Sequence, residues 1–361
     1  MDDRLENGEG NKILIAASGT GGHLFPAIAT AEHLDSQIEW LGVPDRLETK
    51  LVPKRYPLHT VRMGGVQGRL GLGTLKLLVQ FIQATLATRH LLKQGQFQGV
   101  FTTGGYIAAP AIVAARSLGL PTVLHESNAM PGKVTRWLSR WCSLVAIGFK
   151  ETQQYLPEQA RTVWVGTPVR SQFLADSNAR LCDLNIPENV PVIVVVGGSQ
   201  GAVSVNQLVR AAAPAWFESG AWVIHQTGTN DPDVDSLNHP HYIHQPFFNN
   251  VAALFKRATL VISRAGAGTL TELAMTSTPS ILIPYPFAAD DHQSYNANAF
   301  GSVGASQVYE QSELNGDILK QRVLTLLANP KELKDMRTAA EALAVTDSAE
   351  RVADLLQKMV G

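Results

Sequence analysis

The chain has 361 residues, of which 45% are hydrophobic and 17% are charged, a composition that supports two domains with substantial cores and excludes disorder. Its formal net charge of -1 gives no support to nucleic-acid binding. The two cysteines, Cys142 and Cys182, lack the spacing of a metal or redox site and indicate a reducing compartment. We expect the acidic, polar residues 1–11 to form a disordered tail on a cytoplasmic protein.

The first half of the chain alternates apolar runs with helical patterns. Residues 12–17 form an unbroken apolar run, typical of a parallel strand that helices cover on both faces. Further strands are predicted at 38–42, 58–63, 99–103, 122–125, 144–147 and 162–165, and helices near 23–34, 72–93, 107–118 and 133–141. This alternation predicts a parallel sheet wrapped by helices through right-handed crossovers.

The second half repeats the opening pattern. Residues 191–202 again read as a buried strand, a glycine-rich turn and the start of a helix. Further strands are predicted at 221–225, 260–263 and 280–283. Two such openings, about 180 residues apart, predict an α/β protein with two Rossmann-like domains and a boundary near 166–170. We expect the carboxyl ends of both sheets to line a cleft between these domains.

Four glycine-rich loops follow predicted strands, at residues 18–23, 102–106, 197–202 and 263–272. Glycine brings bare backbone N–H groups close to a ligand, and the positive end of a following helix favours an anion. The first loop is not a dinucleotide fingerprint, because Leu24 stands where the third glycine would fall, nor a Walker loop. The loops together predict a ligand with several phosphates or an equivalent anion.

Ionisable side chains stand beside these loops. His23 ends the first loop, where a single histidine is either structural or catalytic. Glu272, which we expect near the start of a helix, either caps that helix or accepts hydrogen bonds from a ribose diol. Arg264 and Arg170 are candidates for pairing with phosphate, although Arg170 equally fits a surface ion pair. The nearest acidic cluster, residues 290–292, is a weak candidate for a metal, so no metal site is predicted.

From Lys12 to the C-terminus, the chain resembles the MurG family, peripheral membrane glycosyltransferases of peptidoglycan synthesis. The order and spacing of the motifs together carry the resemblance. The matching segments are Gly19-Thr20-Gly21-Gly22-His23, Gly104-Gly105-Tyr106, His125-Glu126-Ser127-Asn128, Gly166-Thr167-Pro168-Val169-Arg170, Gly197-Gly198-Ser199-Gln200-Gly201-Ala202, Arg264–Glu272 and Asp291-His292-Gln293-Ser294-Tyr295.

The resemblance implies a GT-B fold, with an acceptor and membrane-facing domain at 12–166 and a UDP-sugar donor domain at 167–361, whose last helix packs back on the first domain. It implies transfer of N-acetylglucosamine from UDP-N-acetylglucosamine to the lipid-linked muramyl-pentapeptide at the cytoplasmic face of the cell membrane, with no cofactor. By similarity, Thr20, Gly21 and Gly22 lie against the donor, Asn128 reaches it from the N-terminal domain, Arg170 and Ser199 lie near the diphosphate, Phe248 beside uracil, Glu272 on the ribose and Gln293 on the sugar hydroxyls.

Two positions depart from the family pattern. Gly268 stands where many relatives have Ser or Leu, which we expect to make its loop more flexible and removes a side-chain contact. Phe248 stands where an aliphatic residue is common, and we expect its backbone to make the contact with uracil.

The family product is β-linked and its donor α-linked, so the resemblance implies inversion by direct displacement. Such a step needs a base for the proton of the acceptor hydroxyl, and an imidazole is suited to that role. We assign it to His23, with His125 and Glu126 as rivals and a purely positional role for His23 still open.

No segment is predicted to span a membrane, because the best candidate, residues 72–92, carries too many polar groups. Its apolar residues share one helical face: Leu75, Leu78, Val79, Ile82 and Leu86. The simplest expectation is that this face packs on its own sheet. Two stretches otherwise suit an anionic membrane surface. The first is the apolar edge from Leu70 to Val79, after the glycine-rich loop 64–71, which we expect to be mobile. The second is a helical face with Lys133, Arg136 and Arg140 beside Trp137 and Trp141.

Three alternative functions share this scaffold. A related transferase would place a hexose on diacylglycerol, and fold alone does not separate it from the first interpretation. A UDP-sugar-binding subunit would bind donor without turnover, and a UDP-sugar epimerase would have no use for a membrane-facing loop.

Overall fold

A computed structural model describes residues 11–64, 72–174, 184–198 and 201–361. Residues 1–10 of the expected tail, residues 65–71 of the loop 64–71, Cys182 and Ser199 lie outside the described residues. The chain forms two compact units. One runs to Arg170 and includes Asp347–Gly361, and the other is Ser171–Thr346.

Within the described ranges, the first unit contains a seven-stranded parallel sheet in the order β3-β2-β1-β4-β5-β6-β7. Its strands are β1 Lys12–Ala16, β2 Gln37–Gly42, β3 Leu58–Thr60, β4 Gly99–Thr102, β5 Thr122–Glu126, β6 Leu144–Ile147 and β7 Thr162–Trp164. The central strands are buried because helices cover them, which explains their continuous apolar sequences.

The helices of this unit are α1 Gly21–Ala31, α2 Glu48–Leu51, α3 Leu72–Gln94, α4 Ala108–Leu118, α5 Lys133–Leu138 and, from the end of the chain, α13 Ser348–Val360. Val352 and Leu356 of α13 are buried in the same core cluster as Leu24 and Ala27 of α1. The C-terminal helix is therefore part of the core of the first unit.

Helix α3 differs from the simplest expectation. Its apolar face is exposed: Leu75, Leu78, Val79, Ile82 and Leu86 have exposed fractions of 62%, 54%, 45%, 48% and 60%. The expectation that this face packs on the sheet is therefore wrong. The opposite face, with Ala84, Thr88 and Leu92, is buried, and the helix packs there against α4.

Helix α5 is shorter than predicted. It ends at Leu138, and Ser139–Trp141 continue as a 3-10 turn. Arg140 therefore does not share a regular α-helical face with Lys133 and Arg136. Lys133 and Arg140 are exposed, whereas Arg136 is half-buried.

The second unit contains, in its described residues, a six-stranded parallel sheet in the order β10-β9-β8-β11-β12-β13. Its strands are β8 Val192–Val196, β9 Trp222–Gln226, β10 Tyr242–Gln245, β11 Leu260–Ser263, β12 Ser280–Leu282 and β13 Ser306–Val308, and its helices are α6 Ser171–Leu174, α7 Val203–Glu218, α8 Val251–Arg257, α9 Ala267–Met275, α10 His292–Gly301, α11 Gly316–Leu327 and α12 Pro330–Glu341. The predicted two-domain Rossmann-like architecture is confirmed, although β10 and β13 were not predicted.

No helix in the described part of the chain combines the length and the apolar character that crossing a membrane requires.

Candidate active site

The first glycine-rich loop connects β1 to α1. Gly19 has φ +102°, a conformation that side chains rarely adopt, and the loop continues through the extended residue Thr20. A Cβ atom on Gly21 would lie 2.7 Å from the ring of Phe25, so a side chain there would require that ring to shift. A Cβ atom on Gly22 would meet only the Thr20 hydroxyl, at 3.7 Å. Space inside the protein therefore does not explain Gly22.

The His23 ring is fixed in one orientation at the start of α1. Its Nδ1 lies 2.7 Å from the carbonyl oxygen of Thr103, and the Thr103 hydroxyl donates to the backbone carbonyl of His23 at 2.8 Å. Because a carbonyl only accepts, Nδ1 must carry the hydrogen, and Nε2 of the neutral ring therefore has a free lone pair. This is the tautomer that a general base at Nε2 needs.

The second glycine-rich loop lies against the same ring. Gly104 and Gly105 have φ +87° and +75°, and a Cβ atom on Gly105 would lie 3.4 Å from Nε2 of His23. A side chain at this position would contact the ring of His23.

Arg170 lies next to the first loop. Its guanidinium carbon is 4.6 Å from the centroid of the Phe25 ring, and Phe25 in turn packs against Gly21. A cation–π contact of this kind holds a positive charge near the N-terminus of α1, where both favour an anion. The position fits the diphosphate role that the resemblance implies.

The two rivals for the base are both buried. The His125 side chain is 0% exposed, with Nε2 2.9 Å from the Gly166 carbonyl and Nδ1 3.3 Å from the Ser127 hydroxyl. Burial is the main cause that lowers the pKa of His125. Glu126 is buried as well, and its two oxygens accept four hydrogen bonds. Neither side chain is available to a substrate proton, so both assignments are wrong.

Glu126 instead holds Asn128. Its Oε1 accepts from the backbone N–H of Asn128 at 3.0 Å and from the side-chain amide at 3.1 Å. Its Oε2 accepts from Gly132 and from the Thr135 hydroxyl at the start of α5. Within this sequence motif, the buried carboxylate of Glu126 thus orients the half-buried amide of Asn128.

The third glycine-rich loop follows β8 in the second unit. Gly198 and Gly201 have φ +90° and +77°, and a Cβ atom on Gly201 would lie 2.5 Å from the carbonyl oxygen of Thr227. The described part of the loop therefore packs directly on the end of β9.

A buried polar network, which sequence reasoning missed, supports that contact. Asn206 donates to the Thr227 carbonyl at 2.8 Å and to Asp231 at 2.7 Å. Arg210 forms a two-bond ion pair with Asp231, at 2.7 and 3.1 Å. His225 Nε2 lies 2.9 Å from the Asn206 side-chain oxygen. The sequence signal that could have identified this network is the presence of polar residues on the predicted buried faces of a strand and a helix.

Phe248 is buried, and its backbone N–H donates to the side-chain oxygen of Gln226 at 3.1 Å. The backbone group of Phe248 suited to uracil is therefore the carbonyl, which can accept from the ring N–H. Gln226 lies at the end of β9 and was not predicted as part of this corner.

Glu272 lies in the second turn of α9, not near its start as expected. The helix dipole therefore gives no particular support to its charge, since that effect is confined to the first turn. Its place beyond the first turn also leaves the capping interpretation without support. Gly268 lies within the same helix, so the expectation of a flexible loop there is wrong, and a Cβ atom on it would meet nothing within 4 Å.

Gln293 joins two segments of the second unit. Its side-chain oxygen accepts from the backbone N–H of Ala265 at 3.1 Å and of Tyr285 at 3.0 Å. Because this oxygen already accepts two hydrogen bonds, the amide nitrogen of Gln293 is the group suited to donate to a sugar hydroxyl.

Arg264 is buried, and its guanidinium donates to the carbonyls of Ile283 and Pro284, to Ser204 and to Gln311. Burial lowers its pKa. The arginine is committed to joining α7, β11 and β12, and the phosphate role considered for it is wrong. Among the residues that the structure describes, no three His, Cys, Asp or Glu side chains are grouped to hold a metal ion.

Comparisons with known proteins cover both units. Residues 13–147 match the model of the glycosyltransferase family 28 N-terminal domain, and residues 192–352 match that of the C-terminal domain. The UDP-N-acetylglucosamine--N-acetylmuramyl-(pentapeptide) pyrophosphoryl-undecaprenol N-acetylglucosamine transferase of Trichormus variabilis is 63% identical over 97% of this chain and 98% of its own length. The protein of the same name from Trichodesmium erythraeum is 61% identical over 97% of this chain and 92% of its own length.

Among solved structures, MurG of Acinetobacter baumannii superposes with a TM-score of 0.79 at 31% identity, over 97% of this chain and all of that one. The similarity thus extends through both Rossmann-like units, as a GT-B fold requires. The chain belongs to the MurG family of glycosyltransferases, with both domains of glycosyltransferase family 28 in one polypeptide.

Proposed function

We propose that this protein transfers N-acetylglucosamine from UDP-N-acetylglucosamine to the lipid-linked muramyl-pentapeptide, a step of peptidoglycan synthesis. The observation that carries this proposal is the 63% identity, over nearly the whole of both chains, to a relative that bears the name of this transferase. The histidine tautomer and the glycine-rich loops supply a physical basis for it.

His23 is the general base in this proposal. The acceptor hydroxyl oxygen attacks the anomeric carbon, and its proton passes to Nε2 of His23. A new carbon–oxygen bond forms as the bond to the diphosphate breaks, so the configuration inverts and UDP leaves. The carbonyl of Thr103 holds Nδ1–H and stabilises the imidazolium that forms.

The donor roles follow the two units. We assign the N-acetylglucosamine donor mainly to the second unit, Ser171–Thr346, with Glu272 on the ribose, the Phe248 carbonyl on uracil and Gln293 on the sugar. Ser199, which we place at the diphosphate, lies outside the described residues. The first unit contributes Thr20, Gly21, Gly22, Asn128 and Arg170, and it also takes the acceptor.

The exposed face of α3 is our candidate for the membrane contact. The acceptor named for the relatives carries an undecaprenol chain, which stays in the bilayer, so the enzyme must meet it at the membrane surface. Five large apolar side chains on one exposed helix face are unusual for a surface in water and fit insertion at the level of the headgroups. Arg62 and Lys76 lie beside Leu75 and Val79 and suit anionic lipid.

The basic stretch near α5 is the second candidate. Trp137 is 67% exposed, and the Arg140 guanidinium lies 5.8 Å from the Trp141 ring. Tryptophan beside arginine suits the membrane–water interface. Because Arg136 is half-buried and Arg140 lies beyond the helix, we rank this face below α3 and place the enzyme, through α3, on the cytoplasmic face of the cell membrane.

One assay tests the proposed function. The purified protein is incubated with UDP-N-acetylglucosamine and either the lipid-linked muramyl-pentapeptide or diacylglycerol, and released UDP and glycosylated lipid are measured. We expect equal amounts of UDP and disaccharide product with the muramyl acceptor alone. Transfer to diacylglycerol would favour the related hexosyltransferase. Donor binding without turnover would favour a binding subunit, and conversion of the sugar without acceptor an epimerase.

A further inference from the structure

Glu48 is a buried acidic residue outside the residues discussed so far. It is 0% exposed and begins the short helix α2, which follows β2. Its Oε1 accepts from the Ser18 hydroxyl at 2.5 Å and from the backbone N–H of Val43 at 2.7 Å, and its Oε2 accepts from the backbone N–H of Gly19 at 3.2 Å. A carboxylate without solvent thus joins the end of β2 to the first glycine-rich loop.

The surroundings are shaped for this side chain. A Cβ atom on Gly42 would lie 2.7 Å from Cγ of Glu48 and 2.9 Å from its Oε1, closer than side chains pack. Gly42 has no positive φ, so close approach of Glu48 is the reason for glycine at this position. The absence of a side chain at Gly42 therefore makes room for the side chain of Glu48, six residues later.

The contact acts on a turn of the loop that glycine adopts readily and other residues do not. Gly19 has φ +102°, and a Cβ atom there would meet nothing within 4 Å, so the conformation and not the space explains glycine at this position. The hydrogen bond from the Gly19 N–H to Glu48 ties this turn to α2. Thr20, Gly21 and Gly22 follow directly, and His23 lies in the first turn of α1.

We propose that Glu48 is a positioning residue for the transfer reaction: it sets the conformation of residues 18–22 and, through them, the place of His23. This inference rests on the proposed function, since it gives the loop its role in turnover. Glu48 itself touches no substrate, and its effect passes through the N–H of Gly19.

Glu48→Gln is a sharp test because it changes one contact. In the orientation that keeps the two shorter bonds, the amide oxygen still accepts from Ser18 and Val43, whereas the new NH₂ group faces the N–H of Gly19. We expect kcat to fall at least about ten-fold. The dissociation constant of UDP should stay within about two-fold of the wild-type value, because we assign UDP mainly to residues of the second unit. We also expect amide hydrogen exchange at residues 18–23 to accelerate at least about ten-fold.

Two further variants separate positioning from general instability. Val145→Ala removes methyl groups from a different core cluster of the same unit, and it should lower the melting temperature while leaving kcat per folded molecule unchanged. Gly42→Ala should displace Glu48 and reproduce the loss of kcat, and the double variant with Glu48→Gln should be no worse than the more severe single variant.

The outcomes are distinct. Normal kcat and normal exchange at residues 18–23 in a folded Glu48→Gln variant would overturn the inference, as would an equal loss of kcat in Val145→Ala. Absence of transfer by the wild-type protein would instead overturn the proposed function, and faster exchange at residues 18–23 would still report the contact.

Discussion

The hydrogen bond between His23 and a backbone carbonyl determines what the histidine can do. Nδ1 is held by Thr103, so Nε2 is the nitrogen that can take a proton. His125, two strands away in the sheet, has the same ring but is buried with both nitrogens at protein groups. The environment, and not the residue type, separates the half-buried histidine, our proposed base, from the buried one.

Loss of the base is the first prediction at this scale. His23→Ala should lower kcat by roughly 10²–10⁴-fold and leave the affinity for UDP nearly unchanged. His33→Ala, which removes an exposed histidine just after α1, is the matched control and should change neither. Steady-state kinetics and calorimetry measure the two effects. An equal loss of donor affinity would place His23 in the diphosphate site, and near-normal turnover would remove it from both roles.

Glu272 gives the second prediction. Glu272→Ala should weaken UDP-N-acetylglucosamine binding by about 1.5–3 kcal/mol, because a carboxylate that accepts from a ribose diol makes charge-assisted hydrogen bonds. Thr271→Ala, one position earlier in α9, removes only a bond to the Ala267 carbonyl and serves as the control. Unchanged UDP affinity by calorimetry in a folded Glu272→Ala variant would exclude the ribose assignment.

At the scale of elements, two glycines of the second unit have opposite requirements. Gly201 has φ +77° and lies against the Thr227 carbonyl, whereas Gly268 lies in α9 beside open space. Gly201→Ala should therefore destabilise the protein by at least about 1–3 kcal/mol, and Gly268→Ala should stabilise it by about 0.5–1 kcal/mol. Urea unfolding of the two variants checks the signs. Equal effects would mean that the loop relaxes around a side chain at Gly201.

The network between α7, β9 and β10 makes stability depend on pH. Burial, and then the charge of Arg210, lower the pKa of His225 to about 3. The unfolded chain takes up this proton near its ordinary pKa of about 6.5, and the folded chain does not until about pH 3. The free energy of unfolding should therefore fall with decreasing pH inside this window, by up to about 1.4 kcal/mol per unit, and this contribution should be constant above it.

The measurement is urea unfolding of wild type and of His225→Gln at a series of pH values. The difference between the two proteins isolates the histidine from the carboxylates, which titrate in both. A smaller slope in His225→Gln is expected between about pH 6.5 and 4. Parallel curves would show that another group accounts for the acid sensitivity.

At the scale of the whole molecule, the exposed face of α3 predicts how the enzyme binds membranes. The variant Leu78→Gln/Ile82→Gln changes two exposed side chains and should strongly reduce cosedimentation with vesicles that contain phosphatidylglycerol, because it removes apolar area from the lipid contact. Val303→Gln/Ile318→Gln, at exposed apolar positions of the second unit, is the matched control and should bind like wild type.

Salt and lipid charge complete this test. Binding should weaken as salt rises and on neutral phosphatidylcholine, because Arg62 and Lys76 lie beside the apolar face. A triple Lys133→Gln/Arg136→Gln/Arg140→Gln variant should have a smaller effect than the α3 variant. The reverse order would move the contact to the stretch around α5, and insensitivity to both variants would exclude these two surfaces.

The two-unit α/β architecture could be predicted from the sequence because it depends on local patterns. Unbroken apolar runs of about five residues that end in glycine specify buried parallel strands followed by tight turns, wherever they occur in the chain. The short strands β10 and β13 escaped prediction, because Tyr242–Gln245 and Ser306–Val308 mix polar and apolar residues. The residues around each glycine-rich loop were likewise identifiable from order and spacing.

What each site residue does was decided by tertiary structure. From the sequence by itself, His23 was favoured as the base, with His125 and Glu126 as rivals. Only folding buried two of them and put the Thr103 carbonyl on Nδ1 of the third. The sequence of α3 shows an apolar face, but it does not specify whether that face packs on the sheet or is exposed, as the structure shows. Hydrogen-bond partners and burial come from residues distant in the chain, as with Glu48 and Gly19, so no local pattern specifies them.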